Sequence, residues 1–166
     1  MKIVQITDIH LVPPGETMHG IDPTERLRAV IDDVVARHAD ADLVVFTGDL
    51  TDRGEAEAYD ILRQEIARLP MPVRLLLGNH DRRETFRAAF PASPVDANGF
   101  IQSFLDAPDG AGRLLFLDTH ETGWSGGRYC RERLGWLDQR LAEAVDHPVT
   151  VFMHHPPGDI GISHFE

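Results

Sequence analysis

The stretch LVVFTGDLTDRG, residues 43–54, joins an apolar strand to a helix through a turn that carries two aspartates. Residues 43–46 are all apolar, as in a buried strand, and residues 55–69 place apolar side chains at helical spacing. Gly48 and Gly54 allow a tight turn between the two elements and a close approach of other backbone segments. The stretch therefore predicts one strand–turn–helix unit of an α/β fold.

Strand-like and helix-like segments alternate along the rest of the chain in the same way. This order predicts a mainly parallel sheet with flanking helices and right-handed crossovers. The length of 166 residues fits one domain, so residues 1–166 are predicted to form a single domain. Strands are predicted at residues 2–6, 43–46, 73–77, 100–105, 114–117 and 149–153, and helices at residues 25–38, 55–69, 83–89 and 134–145.

The composition is that of an ordinary soluble protein, with 42% apolar and 26% charged residues. No apolar run approaches the roughly 20 residues of a membrane helix, and the first residues are too short and interrupted for a signal-peptide core. The single cysteine, Cys130, excludes an internal disulfide. We therefore predict a cytoplasmic protein without a membrane partner, and leave a homo-oligomer open.

The formal net charge of −11 bears on the class of partner. Such a surface repels a long polyanion such as DNA, so no long nucleic acid partner is expected. Solubility is the simpler explanation of the same charge. Bound divalent cations would reverse the charge locally.

Metal-binding side chains follow four of the predicted strands directly. Groups at the carboxyl ends of parallel strands gather at one edge of the sheet, where ligands bind. Each motif alone has a simpler explanation as a turn or a surface residue, but four of them at the ends of four different strands predict a metal site. The residues are Asp8 and His10 after the first strand, Asp49 after the second, Asn79 and His80 after the third, and His154 and His155 after the last.

The residue types indicate distinct roles within such a site. The carboxylate of Asp49 can bridge two cations, because each of its oxygens can bind one. Asn79 offers a neutral carbonyl oxygen, while the adjacent His80 can face a substrate and donate a proton to a leaving group. Of the histidine pair, His154 is predicted to be the ligand and His155 a hydrogen-bonded support.

Other polar residues are predicted to have supporting roles or none. Asp52 and Asp81 are predicted to hold a ligand or a backbone group in position. The remaining histidines have no motif around them and are predicted to lie on the surface or on helix faces, with weak functional options for His19 and His164. They are His19, His38, His120, His147 and His164.

The motifs together resemble the calcineurin-like metallophosphoesterases over nearly the whole chain. The resemblance rests on Asp8-x-His10, GDLTDRG at 48–54, GNHD at 78–81 and HHPP at 154–157. Within that superfamily the pattern is most similar to the bacterial class III cyclic-nucleotide phosphodiesterases and glycerophosphodiesterases. Serine/threonine phosphatases and dinucleoside-polyphosphate hydrolases share the Asp-Arg-Gly tripeptide but usually have Glu where this chain has Asp81.

The resemblance implies a dinuclear metal centre and a reaction class. A hydroxide held by two divalent cations, drawn from Fe, Mn, Zn or Co, would attack the phosphorus of a small phosphodiester such as a cyclic nucleotide or a glycerophosphodiester. The alternatives are a phosphomonoesterase, a dinucleoside-polyphosphate hydrolase or a non-catalytic scaffold. By the resemblance, Asp8 and His10 hold the first cation, Asp49 bridges both, Asn79 and His154 hold the second, and His80 contacts the phosphate or protonates the leaving alkoxide.

The chain departs from the family pattern at its end. Members carry a further Gly-His-x-His motif that supplies one ligand to each metal, and it is absent before Glu166. The resemblance therefore implies that residues 1–166 are an incomplete metallophosphoesterase domain, the N-terminal part of a four-layer α-β-β-α sandwich. The second sheet of that sandwich is expected from beyond residue 166.

Overall fold

The computed structural model describes residues 1–158, apart from the side chain of Asp109. Within this part, every predicted strand and helix is present, with ends that differ by at most a few residues. A short 3₁₀ turn, Pro108–Gly110, joins β4 to β5. The elements in chain order are β1 (Ile3–Ile6), α1 (Pro23–Arg37), β2 (Leu43–Phe46), α2 (Ala56–Ile66), β3 (Val73–Leu75), α3 (Arg83–Ala89), β4 (Ser103–Asp106), β5 (Arg113–Phe116), α4 (Arg131–Ala142) and β6 (Val149–Phe152).

The described strands form two sheets of three strands each. The first is parallel throughout, in the order β1-β2-β3. In the second, β5 lies between β4, which runs antiparallel to it, and β6, which runs parallel. The α/β fold class is confirmed, but two expectations are wrong: the last strand does not extend the first sheet, and a second sheet is already built before residue 158.

Strand β2 explains why the two sheets pack together. Its side chains alternate between faces, as they do in any strand. Val44 and Phe46 join the core formed with the helices, whereas Leu43 and Val45 join a second core with residues of β5. All four are fully buried, and each such burial stabilises the fold by roughly 1.5–3 kcal/mol. Helices therefore cover one face of the first sheet and the second sheet covers the other.

No helix among residues 1–158 has the length and hydropathy needed to cross a membrane. The cytoplasmic location stays a prediction from the sequence.

Candidate metal centre

A cavity of about 940 Å³ opens where strands from both sheets end. Strands β1, β2 and β3 reach it from the first sheet and β6 reaches it from the second, so the strand ends converge although the last strand is not in the expected sheet. All of the predicted ligands line this cavity, as do the predicted catalytic histidine and one predicted support: Asp8, His10, Asp49, Asn79, His80, His154 and His155.

The chain segments that follow β1 and β2 continue side by side beyond the sheet. The N–H of Asp8 donates to the carbonyl of Gly48 at 3.1 Å, and that of His10 to the carbonyl of Asp49 at 2.9 Å. Asp8, His10 and Asp49 all have positive φ angles, of 55°, 43° and 49°. Such a conformation costs roughly 1–3 kcal/mol per residue and is concentrated at functional sites. The paired backbones hold these residues in that conformation.

Two glycines allow the segments to approach this closely. A Cβ atom at Gly78 would lie 2.1 Å from Oδ1 of Asp49 and 2.7 Å from Nε2 of His154. A Cβ atom at Gly48 would lie 2.6 Å from Nδ1 of His154, and its φ of 108° also favours glycine. Any side chain at either position would displace the predicted ligands.

The carboxylate of Asp49 lies at the centre of the cluster. Its Oδ2 is 3.4 Å from Nε2 of His10, and its Oδ1 is 3.5 Å from Nε2 of His154. Oδ1 also accepts a hydrogen bond from the backbone N–H of His80 at 3.0 Å. The residue is only 4% exposed, so its two oxygens face different histidines in a fixed orientation.

Among residues 1–158, two groups of side chains that could hold a metal ion share Asp49. The donor atoms of Asp8, Asp49 and His154 lie within 4.8 Å of one another, and so do those of His10, Asp49 and His80. By the resemblance, Asp8 and His10 hold one cation together, and that pairing stays a prediction. Residues two apart point the same way only in an extended segment, and the positive φ angles of Asp8 and His10 break that alternation.

The spacing of the donor atoms fits a bound cation. Two ligand atoms about 2.1 Å from one tetrahedral ion lie roughly 3.4 Å apart, close to the distances between Asp49 and the two histidines. The hydrogen bond of His154 supports this. Its Nδ1 donates to the carbonyl of Thr47 at 3.0 Å, and in a neutral imidazole this leaves the lone pair on Nε2, which faces a carboxylate oxygen. Two opposed acceptors of this kind are satisfied by a cation between them.

Asp81 ties the turn after β2 to the turn after β3. Its buried carboxylate accepts hydrogen bonds from the backbone N–H groups of Leu50, Thr51 and Gly78, at 3.1, 3.2 and 2.9 Å, and from the hydroxyl of Tyr59 at 2.8 Å. Burial raises the pKa of Asp81 to about 6, because loss of water disfavours the charged form more than these donors favour it. These contacts hold the two turns against each other, and a supporting role for Asp81 at the site stays a prediction.

Asp52 and His155 contact the histidines of the site. The backbone carbonyl of Asp52 accepts from Nδ1 of His80 at 2.7 Å, and its carboxylate lies 3.6 Å from Nδ1 of His10. Nδ1 of His155 is 2.7 Å from the hydroxyl oxygen of Thr119. Burial lowers the pKa of His155 to about 4. Asp52 therefore lies against two of the site histidines, and the ring centroid of His155 lies 4.8 Å from that of His154. A supporting role for both residues stays a prediction.

Two residues near the site were missed by the sequence analysis. His120 is only 3% exposed, not a surface residue, and its Nδ1 donates to the carbonyl of Gly78 at 3.0 Å. It lines a second cavity of about 850 Å³, and Trp124 lines both cavities. His120 follows β5 just as the predicted ligands follow their strands, so the strand-end rule would have found it. His164 lies outside the described residues.

Comparison with known proteins gives one family. The family model described as calcineurin-like phosphoesterase matches residues 1–166. A protein of Rhodopseudomonas palustris named "Probable cyclic nucleotide phosphodiesterase" is 41% identical over 174 residues, which cover 100% of this chain and 61% of the relative. A "Probable glycerophosphodiester phosphodiesterase GpdQ" of Arcobacter nitrofigilis is 32% identical, with the same two coverages. This chain therefore spans about three-fifths of the length of these relatives.

A solved structure supports the fold alone. Purple acid phosphatase PPD1 from yellow lupin superposes with a TM-score of 0.55 at 17% sequence identity. The superposition covers 86% of this chain and 27% of the lupin chain.

Proposed function

This chain belongs to the calcineurin-like phosphoesterase family, and we propose that it is a metal-dependent hydrolase of small phosphodiesters such as cyclic nucleotides or glycerophosphodiesters. The names of the relatives support both substrate classes. The cavity volume of about 940 Å³ suits a small-molecule substrate.

The observation that carries the proposal is the position of the Asp49 carboxylate between two imidazole nitrogens, at 3.4 and 3.5 Å. We propose two divalent cations, from Fe, Mn, Zn or Co, that share this carboxylate. When bound, such a pair polarises the phosphoryl oxygen and lowers the pKa of a coordinated water. The other proposed ligands are Asp8, His10, Asn79 and His154.

His80 is proposed to act on the substrate. Its Nδ1 is held by the carbonyl of Asp52, which leaves Nε2 as the nitrogen that can reach a bound ester. Its side chain is 40% exposed and lines the cavity, whereas the side chains of His10 and His154 are 17% and 10% exposed. A histidine so placed can protonate the oxygen that leaves phosphorus.

The test measures metal content and hydrolysis together. We expect two equivalents of metal by elemental analysis and faster hydrolysis of bis(p-nitrophenyl) phosphate than of p-nitrophenyl phosphate. Asp49→Ala should lose metal and reduce hydrolysis at least ~100-fold, because a ligand contributes more than the 10–100-fold of its supports. Asp138→Ala, at an exposed carboxylate outside the cavity, should change neither.

Three results would contradict parts of the proposal. Unchanged metal content and hydrolysis in Asp49→Ala would contradict the placement of the metal site at Asp49. A single equivalent of metal would contradict the proposal that two cations share the carboxylate of Asp49. A preference for the monoester would replace a diesterase with a phosphomonoesterase.

A further inference from the structure

Trp124 lies at the border between the two cavities described above. It lines both, together with Asn79, His80 and Ser125, and it is 65% exposed. A single exposed apolar residue needs no explanation by itself. The position of this one does, because Trp124 lines the same cavity as the proposed metal ligands.

The loop that carries Trp124 is anchored at both ends. The N–H of Trp124 donates to the carbonyl of Glu121 at 3.1 Å, and the Glu121 carboxylate accepts from Nη2 of Arg133 at 3.0 Å. Arg133 is 1% exposed, so this anchor belongs to the core. At the other end, the N–H of Arg128 donates to the carbonyl of Thr119 at 3.0 Å. The loop that carries the indole is therefore anchored by hydrogen bonds, and this limits the conformational entropy lost when a ligand binds.

Gly126 supports one side of the indole. A Cβ atom at Gly126 would lie 2.8 Å from Nε1 and 3.3 Å from Cδ1 of Trp124. The pyrrole side of the ring system therefore packs directly on the glycine backbone. The exposed remainder of the ring offers a flat apolar surface to the cavities.

Building on the proposed phosphodiesterase function, we propose that Trp124 stacks on the base of a nucleotide phosphodiester and thereby selects 3′,5′-cyclic nucleotides over glycerophosphodiesters. A nucleobase has a flat π surface that matches an indole, and base–aromatic stacking tolerates any base. A glycerol group has no such surface. The residue determines specificity and takes no part in the bond that breaks.

An organic cation is the other ligand that an indole attracts. Recognition of a choline-like group uses a cage of several aromatic rings. Among residues 1–158, Trp124 is the one aromatic residue other than histidine that lines either cavity. The described surroundings therefore favour a stacked base over a caged cation.

The kinetic test compares Trp124→Ala and Trp124→Phe in the metal-loaded protein. The alanine variant should raise KM for cyclic AMP by ~5- to ~150-fold, with a small change in kcat, because the base is remote from the reacting phosphorus. The phenylalanine variant should retain most of the affinity. The ratio of kcat/KM for cyclic AMP to that for glycerophosphoglycerol should fall by a similar factor. Trp136→Phe, which removes the second tryptophan of the chain outside both cavities, should leave the ratio unchanged.

A binding measurement separates this inference from the proposed activity. In Trp136→Phe, Trp124 is the sole tryptophan, so a non-hydrolysable phosphorothioate analogue of cyclic AMP should quench its fluorescence. Quenching without hydrolysis of any diester would contradict the proposed phosphodiesterase function but would support stacking of the base on Trp124. A ratio within about twofold of wild type in Trp124→Ala, or no quenching at saturation, would overturn the inference. If Trp124→Ala raised the KM for glycerophosphocholine as much as that for cyclic AMP, the inference would be overturned and the indole would instead bind organic cations.

Discussion

Replacing Gly78 with alanine tests the geometry of the metal centre with one added carbon atom. Gly78 does not belong to the positive-φ glycines, so an alanine meets no backbone penalty there and acts through sterics alone. Its Cβ would lie 2.1 Å from Oδ1 of Asp49, where an ordinary contact begins at 3.4 Å. Asp49 must therefore move by about 1.3 Å, the difference between these two distances.

That displacement is large for a metal ligand. Ligand distances in a working site hold to within about 0.2 Å, and a shift of about 1 Å in a reacting group can cost 10²-fold in rate. The same Cβ would lie 2.4 Å from the backbone nitrogen of Asp49, so part of the clash cannot be relieved by a side-chain rotation. Overpacking of this kind destabilises by ~1–3 kcal/mol, which lowers Tm by ~2–12 °C for a chain of this size.

The assay is metal affinity by titration calorimetry, with Tm and bis(p-nitrophenyl) phosphate hydrolysis measured on the same samples. Gly135→Ala is the matched control, because Gly135 lies within α4 and, apart from its chain neighbours and its own helix backbone, no atom of residues 1–158 comes within 4 Å of its Cβ position. A helix-interior Gly→Ala change stabilises by ~0.5–1 kcal/mol, so this variant should have a slightly higher Tm and unchanged metal affinity. Wild-type metal affinity and rate in Gly78→Ala would refute the placement of Asp49.

Two further predictions concern histidines with different roles. His80→Gln should lower kcat by ~10²–10⁴-fold with metal content near wild type; loss of metal with activity would make it a ligand, as its grouping with His10 and Asp49 allows. Burial lowers the pKa of His120 below its usual 6.5. The unfolded chain therefore binds the proton first on acidification, and this contribution to stability is complete above pH 6.5 and lost as the pH falls below it. In the metal-free protein, Tm should fall less between pH 7 and 5 in His120→Gln than in wild type or in the exposed-site control His147→Gln; parallel curves would exclude His120 as the source.

The sequence was sufficient to predict which residues gather at the site. Asp8, Asp49, Asn79 and His154 each follow an apolar run of strand type, and the carboxyl ends of strands are where ligands collect. That rule needs only the order of the elements. It does not depend on which sheet a strand joins, which is why His154 reaches the cavity from the second sheet.

The division of the strands between two sheets could not be predicted in the same way. β5 is buried on both faces and pairs with β6. In this pair Val149, the first residue of β6, lies opposite Arg113, the first residue of β5. An apolar run is equally compatible with the middle of either sheet. What separates the sheets is the packing of Leu114 and Phe116 against the face of β2, and that contact lies between residues about 70 positions apart, beyond the reach of local patterns.

The pairing of ligands around Asp49 also depends on a feature that residue types do not encode. An extended backbone would place the side chains of Asp8 and His10 on one side. Both residues have left-handed φ angles, and their donor atoms fall in different candidate groups, Asp8 with His154 and His10 with His80; which of them share a cation stays a prediction. Aspartate and histidine tolerate this conformation better than most residues, but tolerance does not predict where it occurs.

The strain of the site is concentrated beside the strand that is best able to resist it. Three left-handed residues cost roughly 1–3 kcal/mol each, and all of them lie on the paired segments that leave β1 and β2. β2 contributes to both cores and has all four side chains buried, each stabilising by roughly 1.5–3 kcal/mol. Asp49 follows β2 after two further residues, so the packing of β2 in both cores restrains the start of the turn that carries it. The central strand therefore supports the turn that carries Asp49, and we expect the metal affinity proposed for the site to depend on the packing of Leu43 to Phe46 as well as on the proposed ligands.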